Sequence, residues 1–306
     1  MPKDFISLAD WSADELRQIL DRAAELKRLF HAGERPQTLE GRSLALFFEK
    51  PSLRTHVTFE AGVTQLGGHA IWLRPEQVGI GTRETPADVA MNLSRWVDGI
   101  VARTFSHVLV EELAAVAEIP VVNGLTDLLH PCQVMADLQT VAERTDLART
   151  SIAYVGDGNN MANSLLLGAA VMGLTLRLGT PESHRPSLYV RKRAEEIAAQ
   201  TGAQISWTPD PVAAVKGAEF VYTDVWTSMG QEEEHAQRLE LFAPYQVNES
   251  LLQHAPEALV MHCLPAHRGE EITDDVLDSE RCLAFEQAEN RLHAQKAVLE
   301  TLLLRA

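Results

Sequence analysis

Cysteine is scarce in this chain: three in 306 residues, at Cys132, Cys263 and Cys282, with no C-x-x-C pair among them. An odd and widely spaced set is poor material for a disulfide framework and fits a reducing cytoplasm. Positive charge is short too. Lys and Arg number 27 against 43 Asp and Glu, a net charge of −16 with histidine neutral. Such a chain lacks the basic face that general binding to nucleic acid or an anionic membrane requires. It does not exclude an anionic small molecule, because a few arginines in one cleft dominate locally. Long hydrophobic runs are missing as well. The start, MPKDFISLADWSADEL, has no apolar core of a signal peptide, and runs such as Ser164–Met172 are too short to cross a bilayer. No internal repeat or low-complexity tract is present.

Hydrophobic residues make up 45% and charged residues 23%, which excludes a disordered chain, and the length suits two domains. Short apolar runs alternate with longer amphipathic stretches, the pattern of an α/β protein. Strands are predicted at Ser43–Phe48, His69–Leu73, Gly99–Arg103, Val121–Val122, Ser151–Val155, Thr175–Leu178, Gln204–Trp207, Phe220–Thr223 and Leu259–His262. Helices are predicted at Ser12–Phe30, Thr55–Leu66, Pro86–Trp96, Val108–Ala117, Pro131–Thr140, Asn163–Met172 and Leu188–Thr201, with a terminal helix at Ala288–Leu304. Ser12 and Glu15 form a capping box for the first. The charged stretch Glu143–Arg149 divides the chain into domains 1–145 and 146–306. Each is expected to be a mostly parallel sheet flanked by helices, with ligands at the carboxyl ends of the strands.

Five passages sit at such ends. In Phe47–Thr55 a strand stops, a proline turn follows and a helix starts, so Ser52, Arg54 and Thr55 surround a helix N-terminus suited to an anion. Ser52 as a plain helix cap and Arg54 as a surface charge is the other reading. Arg103 closes its strand. His130 and Gln133 bracket a helix start at Pro131 and are able to donate to a carbonyl oxygen, or simply cap and pack. Gly156-Asp157-Gly158-Asn159-Asn160 resembles a dinucleotide loop but lacks its third glycine. Asp224 at a strand end suits a substrate ammonium, and the polar stretch Gln231–Arg238 after it reads as a mobile loop. Met261–Glu271 holds two histidines and Cys263, in a spacing that matches no standard zinc site.

Taken together these passages are similar to the aspartate/ornithine carbamoyltransferase family, and to its ornithine-using branch. Ser52–Thr55 matches the Ser-x-Arg-Thr phosphate loop and His130–Gln133 the His-Pro-x-Gln motif. Asp224–Gly230 matches Asp-x-x-x-Ser-Met-Gly, and His262–Pro265 matches His-Cys-Leu-Pro; the aspartate-using relatives lack this pair. The likeness runs from Asp4 to Lys296. It implies that the terminal helix returns to the first domain, which binds carbamoyl phosphate, while the second binds ornithine. Ser52, Leu53 (through its backbone), Arg54 and Thr55 would hold the phosphate. Arg103, His130 and Gln133 would hold the carbamoyl end, and Arg291 would close the site. Gln77 matches a residue that reaches in from a neighbouring subunit of a trimer. Asn160, Asp224, Ser228 and Met229 match ornithine-binding positions, and Cys263 with Leu264 the place of proton acceptance.

The implied reaction is attack of the neutral δ-amine of L-ornithine on carbamoyl phosphate, giving L-citrulline and phosphate. Arg103, His130 and Thr55 would serve the tetrahedral oxygen. No metal or cofactor is implied. A soluble cytoplasmic homotrimer, or an assembly of trimers with shared sites, acting in arginine metabolism is expected. The family loop usually reads Ser-Thr-Arg-Thr-Arg; here Leu53 removes a hydroxyl and His56 a permanent cation. Three rivals are a carbamoyltransferase for putrescine or an N-acylated ornithine, a nucleotide-binding oxidoreductase using Gly156–Asn160, and a catalytically silent paralogue.

Overall fold

The structure, a computed structural model, describes residues 1–227 and 234–304. It divides into two units: Met1–Gln139 with Glu289–Ala306, and Thr140–Ala288.

In the first unit, β1 (Ser43–Phe48), β2 (His69–Leu73), β3 (Gly99–Arg103) and β4 (Val121–Leu125) form a sheet of order β2-β1-β3-β4 in which every pairing is parallel. The runs SLALFF and GIVAR read as continuously apolar because β1 and β3 are covered on both faces. The edge strand β2 is largely exposed. Parallel neighbours require crossovers, and Arg54–Gln65 and His107–Val116 supply them for β1 to β2 and β3 to β4. Chain order reverses between β1 and β3, so the crevice beyond Phe48 and Arg103 is where a ligand is expected.

The second unit repeats the scheme with β5 (Ser151–Val155), β6 (Thr175–Gly179), β7 (Gln204–Thr208), β8 (Phe220–Thr223) and β9 (Leu259–His262), all parallel, in the order β7-β6-β5-β8-β9. Here the reversal falls between β5 and β8. The helix Asn160–Met172 is buried all round apart from its first residue, which is why its sequence, NMANSLLLGAAVM, shows no polar face. The final helix, Ala284–Leu303, begins in the second unit, and from Glu289 onward it belongs to the first, as the resemblance implied.

Every predicted strand is present. β4 extends past Val122 through Asn123 and Gly124, polar or flexible residues that read as a turn; Asn123 is stabilised there by Nδ2 donating to the Ile6 carbonyl (3.0 Å) and by its own N–H donating to Phe5 (2.9 Å). The helix expected from Asn163 starts at Asn160, because Asn159 caps it. The expectation of a loop over 231–238 is corrected in part: His235–Phe242 is a helix, and Arg238 within it is buried. Residues 231–233 lie outside the described set.

Candidate active site

At the end of β1 the chain turns through Pro51, and the Ser52 hydroxyl accepts from the Thr55 N–H (3.2 Å), starting the helix Arg54–Gln65. Its first turn contains no acidic side chain, so its positive end is not neutralised locally. Leu53 is 72% exposed, leaving its backbone as its polar contribution. Arg103, at the tip of β3, is buried. Burial and then the charges of Arg291 and Arg54 bring its guanidinium down to about 10. Its Nη2 donates to the Pro51 carbonyl (3.4 Å), and its Nε has no acceptor among the described residues.

Arg291 reaches the same place from the terminal helix. Its Nη1 donates to Gln133 Oε1 (2.6 Å) and its Nη2 to Thr55 Oγ1 (2.9 Å). The Gln295 amide, turned with its oxygen toward the guanidinium, accepts from Nη2 (2.8 Å) and Nε (3.2 Å). Gln133 is itself oriented by donating to Asp137 Oδ1 (2.8 Å). Three guanidinium groups therefore lie within electrostatic reach of one another around a helix N-terminus. No carboxylate figures among the groups that act on Arg103. Buried like charges repel, and a multiply charged anion relieves the repulsion.

His130 is buried against this cluster. Burial, then Arg291, Arg103 and Arg54, hold it well below the usual imidazole range, so at neutral pH the ring is uncharged and offers a single N–H. Lys50, which sequence reading passed over, is buried beside Arg103 with its Nζ 4.3 Å from the Phe105 ring centroid, and burial lowers its pKa. Its position directly before Pro51 was the available signal. His56 takes a different direction: Nε2 is 3.1 Å from Glu60 Oε2, and the ring packs on Trp72 and Phe48. Gln77 is not brought to the cluster; it is exposed on the short helix Pro75–Val78.

In the second unit Asp224 follows β8 and is buried. Its Oδ2 accepts from Asn159 Nδ2 (2.8 Å) and its Oδ1 from the Cys263 thiol (3.0 Å). Asn159, one of the two asparagines whose presence in the 156–160 loop suits polar recognition of a small substrate, has a double role, since its Oδ1 accepts from the N–H groups of Met161 (2.9 Å) and Ala162 (3.2 Å) and so caps the helix that begins at Asn160. The neighbouring carboxylate Asp157 pairs with Arg238; burial pushes it up to about 7, with Arg238 opposing and Asp224 adding to the rise. Arg238 also donates to the Trp226 carbonyl (2.6 Å). Ser228 and Met229 lie outside the described residues.

The glycines of the 156–160 loop are explained by the chain's own backbone. A Cβ at Gly158 would stand 2.4 Å from backbone atoms of His184, Arg185 and Pro186, and Gly156 has φ of +133°. The close approach made possible here is by a neighbouring chain segment, which removes the main reason to read a pyrophosphate site.

The passage His262–Pro265 is fixed by a buried histidine. The Leu264 N–H donates to His262 Nδ1 (2.9 Å), so the ring's proton is on Nε2, which donates to Glu271 Oε1 (3.0 Å). Leu264 has φ of +56° and precedes a cis proline. Cys263 thus leaves β9 already turned toward Asp224.

The chain matches two family profiles in sequence: "Aspartate/ornithine carbamoyltransferase, carbamoyl-P binding domain" over residues 3–143 and "Aspartate/ornithine carbamoyltransferase, Asp/Orn binding domain" over 148–302. It is 52% identical to the ornithine carbamoyltransferase of Anoxybacillus flavithermus over 303 residues, covering 98% of this chain and 96% of that one. It is 48% identical to the anabolic ornithine carbamoyltransferase of Pyrococcus furiosus, covering 97% and 95%. A solved structure of ornithine carbamoyltransferase from P. furiosus superposes with a TM-score of 0.96 at 46% identity, covering 99% and 97%.

Proposed function

The chain belongs to the aspartate/ornithine carbamoyltransferase family, and from that premise we propose that it transfers the carbamoyl group of carbamoyl phosphate to the δ-amine of L-ornithine, releasing L-citrulline and phosphate. The observation that carries the donor half is the gathering of Arg54, Arg103 and Arg291 around a helix start. The phosphate would lie against these groups with the Ser52 and Thr55 hydroxyls and the Leu53 N–H. As the carbonyl carbon becomes tetrahedral, its oxygen gains charge, and Arg103 with the neutral His130 would donate to it. Gln133, fixed by Asp137, would hold the carbamoyl nitrogen. Lys50 adds positive potential nearby.

For the acceptor, Asp224 offers a carboxylate held from both sides by Asn159 and Cys263, suited to a substrate ammonium. Ser228 and Met229 join it by resemblance, as does Asn160. Free amines of this kind titrate near ~10.4, so the attacking nitrogen must shed a proton, and the Cys263–Asp224 pair is the acceptor we assign. Direct transfer needs no covalent enzyme intermediate. The names of the relatives support ornithine over putrescine or an acylated ornithine, and the P. furiosus relative supports a biosynthetic role. We further propose a cytoplasmic homotrimer in which Gln77, exposed here, serves a neighbouring subunit. No helix among the described residues is long and apolar enough to cross a membrane.

The test is product analysis with carbamoyl phosphate and L-ornithine, putrescine, N-acetylornithine and aspartate in parallel. Citrulline from ornithine alone is expected; product from another amine would keep the donor half and overturn the acceptor assignment.

A further inference from the structure

Behind the turn that carries Cys263, the loop after β9 brings together three polar atoms that lack a hydrogen-bond partner among the described residues. His267 Nδ1, Glu270 Oε2 and Glu271 Oε2 are shielded from solvent and have no hydrogen-bond partner among the described residues. One potential ligand atom from each of the three side chains lies within 4.8 Å of the others, and His267 Nδ1 is 3.6 Å from Glu270 Oε2. Glu271 is fully buried. Its Oε1 is already engaged by the His262 ring and by the His267 N–H (2.6 Å), so Oε2 is the free face.

No Lys or Arg pairs with Glu270 or Glu271 among the described residues, and Arg268 is turned outward to Asp274 and Asp278. His262 does not neutralise Glu271, since its Nδ1 accepts a backbone N–H. A buried carboxylate without a cation is costly. His235 faces the same group from the start of the helix His235–Phe242, with Nε2 3.6 Å from Glu270 Oε1.

We propose that His267, Glu270 and Glu271, closed by His235, hold a divalent ion of the zinc class. Zinc ligands at about 2.0–2.2 Å in a tetrahedron stand about 3.3–3.6 Å apart; each Glu270 oxygen already lies 3.6 Å from an imidazole nitrogen, Oε2 from His267 Nδ1 and Oε1 from His235 Nε2. Two imidazoles with two carboxylates favour zinc over magnesium or calcium, which take oxygen donors. The ion supplies Glu271 with its missing positive partner. Through Oε1 it also braces His262 and the turn that carries Cys263. Sequence spacing hid the group, because His235 lies far before His267 in the chain.

A second cluster, Asp224, His262 and Cys263, also has metal-ligating chemistry, so the experiment must separate the two. Metal-free full-length protein is titrated with Co²⁺, followed by absorbance, and then with Zn²⁺ by calorimetry. The expected result is one ion with visible bands of a nitrogen–oxygen site, no intense near-ultraviolet thiolate band, and displacement by Zn²⁺. Cys263→Ser keeps this binding, while His267→Ala and Glu270→Gln, both confirmed folded by their melting curves, weaken it about tenfold or more. A thiolate band, binding lost in Cys263→Ser, undiminished affinity in His267→Ala, or no binding at all would each overturn the proposal.

Discussion

Replacing Arg103 with methionine should separate stability from ligand binding. The guanidinium titrates at about 10 in place of 12.5, through burial and the charges of Arg291 and Arg54. At about 1.4 kcal/mol per tenfold change, holding the charge there costs the ligand-free fold about 3 kcal/mol. Methionine keeps most of the apolar stem and removes the charge; the long bond to the Pro51 carbonyl is lost, worth about 1 kcal/mol. A net gain of about 2 kcal/mol corresponds to a rise in melting temperature of roughly 4–8 °C for a unit of this size. Adding inorganic phosphate should then raise the melting temperature of the wild type and leave that of the variant nearly unchanged. Differential scanning calorimetry with and without phosphate reads both effects. A variant that melts several degrees lower without ligand, yet still responds fully to phosphate, would refute the view of Arg103 as a strained, ligand-directed cation.

Asn159→Ala removes a helix cap, worth about 1 kcal/mol, and a bond to the Asp224 carboxylate, worth about 1.5–3 kcal/mol. It should lower stability by about 2.5–4 kcal/mol in denaturant melts and raise KM for ornithine. Asn159→Ser keeps a capping oxygen without the amide that reaches Asp224, and should recover about 1 kcal/mol of stability but not the KM. Lys296 is brought from 10.5 to about 8, by burial first and then Arg35. The unfolded chain therefore binds the extra proton between about pH 8 and 10.5, and stability gains from this group as pH rises through that window. Lys296→Met should accordingly raise the melting temperature at pH 7, with the advantage over wild type fading by pH 10. Burial pushes the Cys132 thiol up to about 12 and raises Cys282 as well. Native protein should expose at most Cys263 to a thiol reagent at pH 8, and all three cysteines only after unfolding.

Much of the fold was legible because parallel strands covered on both faces leave continuous apolar runs; SLALFF, GIVAR and SIAYV mark β1, β3 and β5 without ambiguity. β4 was under-read because Asn123 takes its support from Phe5 and Ile6, far away in sequence. The short helices at 211–215, 249–252 and 274–277 went unseen, since four or five residues carry too little periodicity. In the candidate site, the residues at strand ends stood out by position: Arg103 closes β3, and Asp224 and Cys263 follow directly from β8 and β9. Their supporting partners did not. That Asn159 both caps a helix and holds Asp224, that Glu271 sets the proton on His262, and that Gln295 and Gln133 grip Arg291 are facts of tertiary contact. The Gly156–Gly158 pair showed the reverse: a local pattern shared with nucleotide loops, whose cause here is the passage of His184–Pro186.

The central claim is that the arginine cluster takes carbamoyl phosphate and the buried Asp224 takes ornithine. Its most direct test is the steady-state rate of citrulline formation by Asp224→Asn beside wild type, with the carbamoyl phosphate KM and ornithine KM measured separately. The account predicts a folded variant with near-normal KM for carbamoyl phosphate, a severe loss of kcat/KM for ornithine, and citrulline as the wild-type product. Undiminished kcat/KM for ornithine in that variant, or a change confined to carbamoyl phosphate, would contradict it.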